Sequence, residues 1–144
     1  MSSITYTALG MMSGTSLDGL DMALCRLQLS ATGWQYELLA TTSIDYDDRW
    51  RQQLAGAIDL PANRLDEIDR IYGQWLGKQA AAFIQQTGSK PDFIASHGHT
   101  VFHQPHKGIT RQLGDGHELA RQAGIKVVQD HCMYMEHLRL IRAH

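Results

Sequence analysis

The sequence predicts an α/β fold, a mixed β-sheet with helices on its faces, and three observations carry that prediction. Three apolar or alternating segments follow one another early in the chain with only short turns between them. A long stretch between Pro61 and Gly88 then repeats its apolar residues at three- and four-residue steps. Two shorter apolar runs, Pro91–Ser96 and Ile125–Val128, flank a second helical pattern. The order is β-β-β-α-β-α-β, a meander of strands followed by strands that alternate with helices.

Each element has its own local reason. Ile4–Met11 is short and apolar and is bounded by Ser13-Gly14-Thr15-Ser16. Leu20–Leu29 alternates, with Leu20, Met22, Leu24 and Arg26 on one face and Asp21, Ala23, Cys25 and Leu27 on the other. Trp34–Ile44, after the turn at Ala31-Thr32-Gly33, is rich in aromatic and β-branched residues. Asp45–Ile58 reads as a loop running into a short helix. The long helix starts at Pro61, places Leu65, Ile68, Ile71, Tyr72, Trp75, Leu76, Phe83 and Ile84 on its apolar side, and stops at Gly88. Gly73 and Gly77 interrupt it at up to ~1 kcal/mol each, which points to a close approach against the sheet. Pro91–Ser96 is a buried strand ending in the polar run His97-Gly98-His99-Thr100, and residues 108–116 form a short extended excursion. Asp115–Gly124 is a short helix with Leu119 and Ala123 inward, and Ile125–Val128 is a last strand.

Composition excludes several classes. The 144 residues suffice for one domain, and 43% hydrophobic with 19% charged content is ordinary for a globular chain. A net charge of −2 with scattered Lys and Arg gives no footprint for nucleic acid or an anionic membrane. No apolar run approaches the ~20 residues of a membrane span, and the N-terminus lacks the pattern of a signal peptide. A cytoplasmic setting is expected, with Cys25 and Cys132 as free thiols. Of 8 histidines, His97, His99, His103 and His106 cluster, but no Cys or carboxylate joins them at a zinc-like interval. Two histidines at 97 and 99 in one strand point to one face, which reads better as polar site lining than as a metal centre. Met11, Met12 and Met22 read as core.

The segment Ser13-Gly14-Thr15-Ser16-Leu17-Asp18-Gly19-Leu20-Asp21 sits at the bend between the first two strands. Its glycines allow a sharp bend that brings backbone N–H groups near an anion, and Thr15 and Ser16 add hydroxyl donors. Asp18 and Asp21 would repel phosphate directly, so in a nucleotide site they act through a hydrated Mg²⁺. A plain β-turn has the same composition and is the commoner explanation on composition alone. Neither the Walker pattern nor the dinucleotide fingerprint is present.

Met12 to Asp21 resembles the phosphate-loop motif of the anhydro-N-acetylmuramic acid kinases, bacterial cell-wall recycling enzymes of the actin/Hsp70/sugar-kinase superfamily. Three further blocks follow in the family's order. Ser96-His97-Gly98-His99-Thr100 is similar to its Ser-His-Gly-Gln-Thr stretch, with His99 in the Gln position, and Gln112 to Gly116 and Gly124 to Asp130 match the other two. The resemblance implies the ribonuclease H-like first lobe of the actin-like ATPase fold over residues 1–130. It also implies the reaction: ATP phosphorylates O6 of 1,6-anhydro-N-acetylmuramic acid while water opens the anhydro ring. By the same resemblance Gly14, Thr15, Ser16, Leu17, Asp18, Gly19, Leu20 and Asp21 bind ATP with Mg²⁺, the ion being held through Asp18 and Asp21. His97 and Thr100 fall in the stretch near the sugar.

The pattern breaks after Asp130. Residues 131–144 resemble none of the family's blocks, and its Gly-Gly-Gln-Gly-Ala-Pro sugar loop, its Asp-Thr-Gly-Pro-Gly segment with the catalytic base, and its second domain have no counterpart here. Arg111 stands where the family has an apolar residue. An incomplete gene product is expected, inactive as a kinase, with a small-molecule sugar as its partner class, neither nucleic acid nor membrane, and self-association as a homodimer left open. A non-catalytic nucleotide- or partner-binding module on the same lobe is the alternative.

Overall fold

In the computed structural model, which describes residues 4–13, 18–104 and 109–129, the meander is formed by β1 (Ile4–Ser13), β2 (Gly19–Ser30) and β3 (Gly33–Asp45). Both pairings are antiparallel, Ile4 opposite Leu29 and Gly19 opposite Asp45, with an irregularity at Leu24/Cys25. Two short strands, β4 (Phe93–Ser96) and β7 (Val127–Gln129), extend the sheet in parallel from β1, giving the order β3-β2-β1-β4-β7.

Between β3 and β4 lie α1 (Asp48–Gly56), a single 3-10 turn and α2 (Ala62–Thr87). The side chain of Asp47 caps α1 by accepting from Trp50 N at 2.8 Å. Pro61 precedes the first turn of α2 and Gly88 ends it in the left-handed conformation at φ 71°. Helix α3 (Gly116–Ala123) is capped by Asp115, whose carboxylate accepts from His117 N and Glu118 N, and stopped by left-handed Gly124.

Alternation decides which sheet face is buried. Leu9 and Met11 on β1 and Leu20, Met22 and Leu24 on β2 point one way and are buried. They form one core with Leu65, Ile68, Tyr72, Leu76, Ala80 and Phe83 of α2, Trp50 and Leu54 of α1 and Leu119 of α3. The opposite face carries Ile4, Tyr6, Met12 and Leu38, all exposed, and Tyr6 meets Phe93 edge-to-face at 6.4 Å. Met12 is therefore outside the core, contrary to the expectation for all three methionines, because it is one residue out of phase with Met11.

Three other expectations are corrected. Two strands, β5 (His99–Gln104) and β6 (Ile109–Leu113), form a separate sheet, where only the second reads as extended from sequence. His97 and His99 do not share a strand: β4 ends at Ser96 and β5 begins at His99, with Gly98 between them at φ 72°. Gly73 and Gly77 face α3, not the sheet. A Cβ on Gly73 would stand 2.6 Å from Asp115 O, and one on Gly77 would stand 2.5 Å from Gln122 Cβ. Gly14 to Leu17, His106, Cys132 and the whole of 131–144 lie outside the described residues.

Candidate functional site

β1 and β4 are parallel neighbours, with Met11 opposite Ser96, so both strands end on the same edge of the sheet. That edge brings the end of β1, where the Gly-rich segment begins, and the His97 stretch side by side. In open sheets of this kind ligands bind beyond the carboxyl ends of the parallel strands. His97 N donates to Met11 O at 3.1 Å, which ties the start of the second stretch to the end of β1.

At the mouth of the turn Ser13 pairs with Leu20. Asp18 is exposed, and its backbone carbonyl accepts from Tyr46 N at 3.1 Å. Gly19 has no room for a side chain, because a Cβ there would collide with the carbonyl of Ile44. Leu20 is buried in the core, so its side chain is unavailable to a ligand and only its backbone remains for that role. Asp21 lies on the outward face of β2 and accepts from Ser43 Oγ at 2.6 Å. Alternation thus parts Leu20 from Asp21. His97 is half-buried, and the backbone of Thr100 lies in β5.

Beneath this edge is a cluster that sequence reasoning missed. Tyr46 Oη donates to Ser13 Oγ at 2.7 Å and lies 2.5 Å from Tyr72 Oη, while Ser13 Oγ is 3.5 Å from His99 Nδ1. Trp50 and Trp75 surround the phenols, and Trp75 stacks on Tyr72 at 6.0 Å between ring centres. Burial pushes both phenol pKa values up, that of Tyr72 furthest, and pushes the His99 imidazole down. Ser96, fully buried beside these groups in sequence, has no hydrogen-bond partner for its hydroxyl among the described residues. No local pattern signals the cluster, since its members come from β1, the segment after β3, α2 and β5.

The β5–β6 sheet that carries His99 is pinned to α2. Arg111 pairs with Asp66 at 2.9 Å and reaches Asp69 at 3.8 Å. Asp69 also accepts from Gly114 N at 2.6 Å, and burial raises its pKa despite that bond. Arg111, the departure from the apolar residue expected at its position, thus adds ion pairs that tie the hairpin to the helix. Gln129 of β7 clamps the next turn, accepting from Gly116 N at 2.9 Å and donating to Gly114 O. Among the described residues no three His, Cys, Asp or Glu side chains are grouped to hold a metal ion. No described helix is long and apolar enough to cross a membrane.

A three-strand meander extended by parallel strands, with helices packed on it and a Gly-rich turn between its first two strands, defines the first lobe of an actin-like ATPase. The profile of the anhydro-N-acetylmuramic acid kinase family matches residues 6–133. Proteins of that description from Pseudoalteromonas atlantica and Brucella canis are 35% and 40% identical, each over 85% of this chain. One from Rhizobium etli is 35% identical over 88% of it. The chain belongs to the anhydro-N-acetylmuramic acid kinase family. The aligned part is about a third of each relative, 34%, 35% and 37% respectively.

Proposed function

We propose that these residues form the phosphate-binding side of an ATP-dependent kinase acting on 1,6-anhydro-N-acetylmuramic acid in cytoplasmic cell-wall recycling. The observation that carries the reading is the parallel pairing of β1 with β4, which brings the end of β1 beside the start of the His97 stretch at one sheet edge. The turn, Gly14 to Asp21, would cradle the phosphates of ATP through backbone N–H groups and the hydroxyls of Thr15 and Ser16. The crowding at Gly19 and the exposed carboxylates of Asp18 and Asp21 support this, because hard oxygen donors suit Mg²⁺ and a closely packed backbone leaves its N–H groups free of side-chain bulk. The ion, when bound, neutralises the charge that develops on the phosphates. His97 and Thr100 would face the sugar.

In the overall reaction water supplies a hydroxyl to C1 as the anhydro bond breaks, O6 takes the γ-phosphoryl group, ADP leaves, and a base removes the water's proton. By the resemblance that base lies outside residues 1–144, and general-base catalysis of this kind is worth ~10²–10⁴-fold. The 144-residue chain is therefore expected to bind Mg-ATP without turning over the sugar. Calorimetric titration with Mg-ATP, alongside an assay for phosphorylated sugar, checks both halves. Absence of binding would remove the phosphate-loop assignment, and ATP-dependent phosphorylated sugar co-purifying with the chain would remove the prediction of inactivity.

A further inference from the structure

The buried hydroxyls beneath the sheet edge have a direction. Each phenol and the serine carry one proton. The proton of Tyr46 goes to Ser13 Oγ, so the contact between Tyr46 and Tyr72 is filled by the proton of Tyr72. Ser13 then has its own proton left for His99 Nδ1. The order is Tyr72 to Tyr46 to Ser13 to His99, and it ends on a nitrogen lone pair. Such an ending requires a neutral ring carrying its hydrogen on Nε2. At 3.5 Å the last link is also the longest.

We infer that His99 is a positioning residue: as terminal acceptor of this chain it holds Ser13, the last residue of β1, in place for the turn that follows, and the direction of that bond reverses when His99 takes up a proton. A ring protonated on Nδ1 has nothing to accept with. It can then only donate to the second lone pair of Ser13 Oγ, beside the one that receives Tyr46, and the proton of Ser13 has to turn elsewhere. Among the described residues the groups that meet the ring are Ser13 from β1 and, through it, Tyr46 and Tyr72 from the segment after β3 and from α2. None of them is charged at neutral pH, no ion pair includes His99, and burial alone accounts for its lowered pKa. A glutamine at this position would accept from Ser13 through its amide oxygen and would not titrate. The histidine turns a pH-independent hydrogen bond into one that depends on pH.

The link to nucleotide binding rests on the phosphate-loop reading, whereas the hydrogen-bond order does not. The sign follows from the two pKa values. An unfolded histidine titrates near pH ~6.5 and the buried ring lower, so the native state is fully stable above that value and loses stability as pH falls below it. The test uses the 144-residue chain, without nucleotide, as wild type, His99→Gln and His99→Leu. Ring nitrogen shifts should show the Nε2–H tautomer for His99 at about pH 7. The fall in Tm between about pH 7 and about pH 5 should be visibly shallower in His99→Gln than in wild type. The Ser13 amide signal should stay near its wild-type position in His99→Gln and move in His99→Leu. An Nδ1–H tautomer, an unchanged pH dependence in His99→Gln, or a Ser13 signal indifferent to both variants would overturn the inference. Failure of all three proteins to bind Mg-ATP would instead remove the phosphate-loop reading and leave these measurements standing.

Discussion

Replacing Tyr72 by Ala is expected to lower the unfolding free energy by about 3–5 kcal/mol, measured by urea denaturation with tryptophan fluorescence as the signal. Tyr72 is fully buried and meets Tyr46, Trp50 and Trp75 with ring centres 6.2, 5.2 and 6.0 Å away. Truncation removes those contacts, leaves a ring-sized cavity and takes away the hydroxyl that donates to Tyr46. Small domains have only ~5–15 kcal/mol in reserve, so a substantial unfolded fraction at physiological temperature is the expected phenotype. Tyr72→Phe separates the two components: it keeps the ring and removes the hydroxyl, at a cost of about 1 kcal/mol. A loss below about 1 kcal/mol for the alanine variant would mean that the aromatic cluster is not the keystone of the packing between α1 and α2.

The second large effect is expected at Gly73. Any side chain there starts 2.6 Å from the carbonyl oxygen and 2.7 Å from the nitrogen of Asp115, both backbone atoms that cannot rotate away. Asp115 caps α3 and its N donates to Asp69 O at 3.1 Å, so a displaced α3 loses its cap contact with α2 as well as the packing of Leu119. Gly73→Leu should therefore cost about 3 kcal/mol or more, well beyond the ~1 kcal/mol of helix propensity that any residue gains over glycine. Gly56 provides the control: nothing lies within 4 Å of a Cβ there, and its φ of −83° suits any residue. Gly56→Ala should be neutral or slightly stabilising in the same denaturation experiment. Equal effects at the two glycines would rule out the close approach of α2 and α3.

How much of this was legible in the sequence depends on the distance over which each feature is encoded. The meander was readable because Leu20, Met22 and Leu24 alternate with Asp21 and Ala23, and α2 because its stripe persists over 26 residues between Pro61 and Gly88. Both patterns are local. The β5–β6 hairpin was half hidden, since polar residues such as His99 and Thr100 give its first strand little apolar alternation. The need for close packing at Gly73 and Gly77 was visible, but not the partner, because α3 reaches α2 only through tertiary folding. For the site, the glycine-rich turn announced itself through composition. The order Tyr72–Tyr46–Ser13–His99 did not, because its links span 26, 33 and 86 residues of sequence. Only the structure shows that His99 meets Ser13, the serine at the end of β1.

In the proposed function the edge formed by the carboxyl ends of β1 and β4 holds the phosphates of ATP. Mapping backbone amide shifts of the 144-residue chain during titration with Mg-ATP tests it most directly. Saturable shifts confined to residues 13–21 and 96–100 are expected, reduced when Mg²⁺ is omitted and when Asp18 and Asp21 are both changed to Asn. Shifts centred elsewhere, for example on the cleft between α1 and α2 lined by Arg49, Gln53 and Arg64, would contradict it, as would no shift at all.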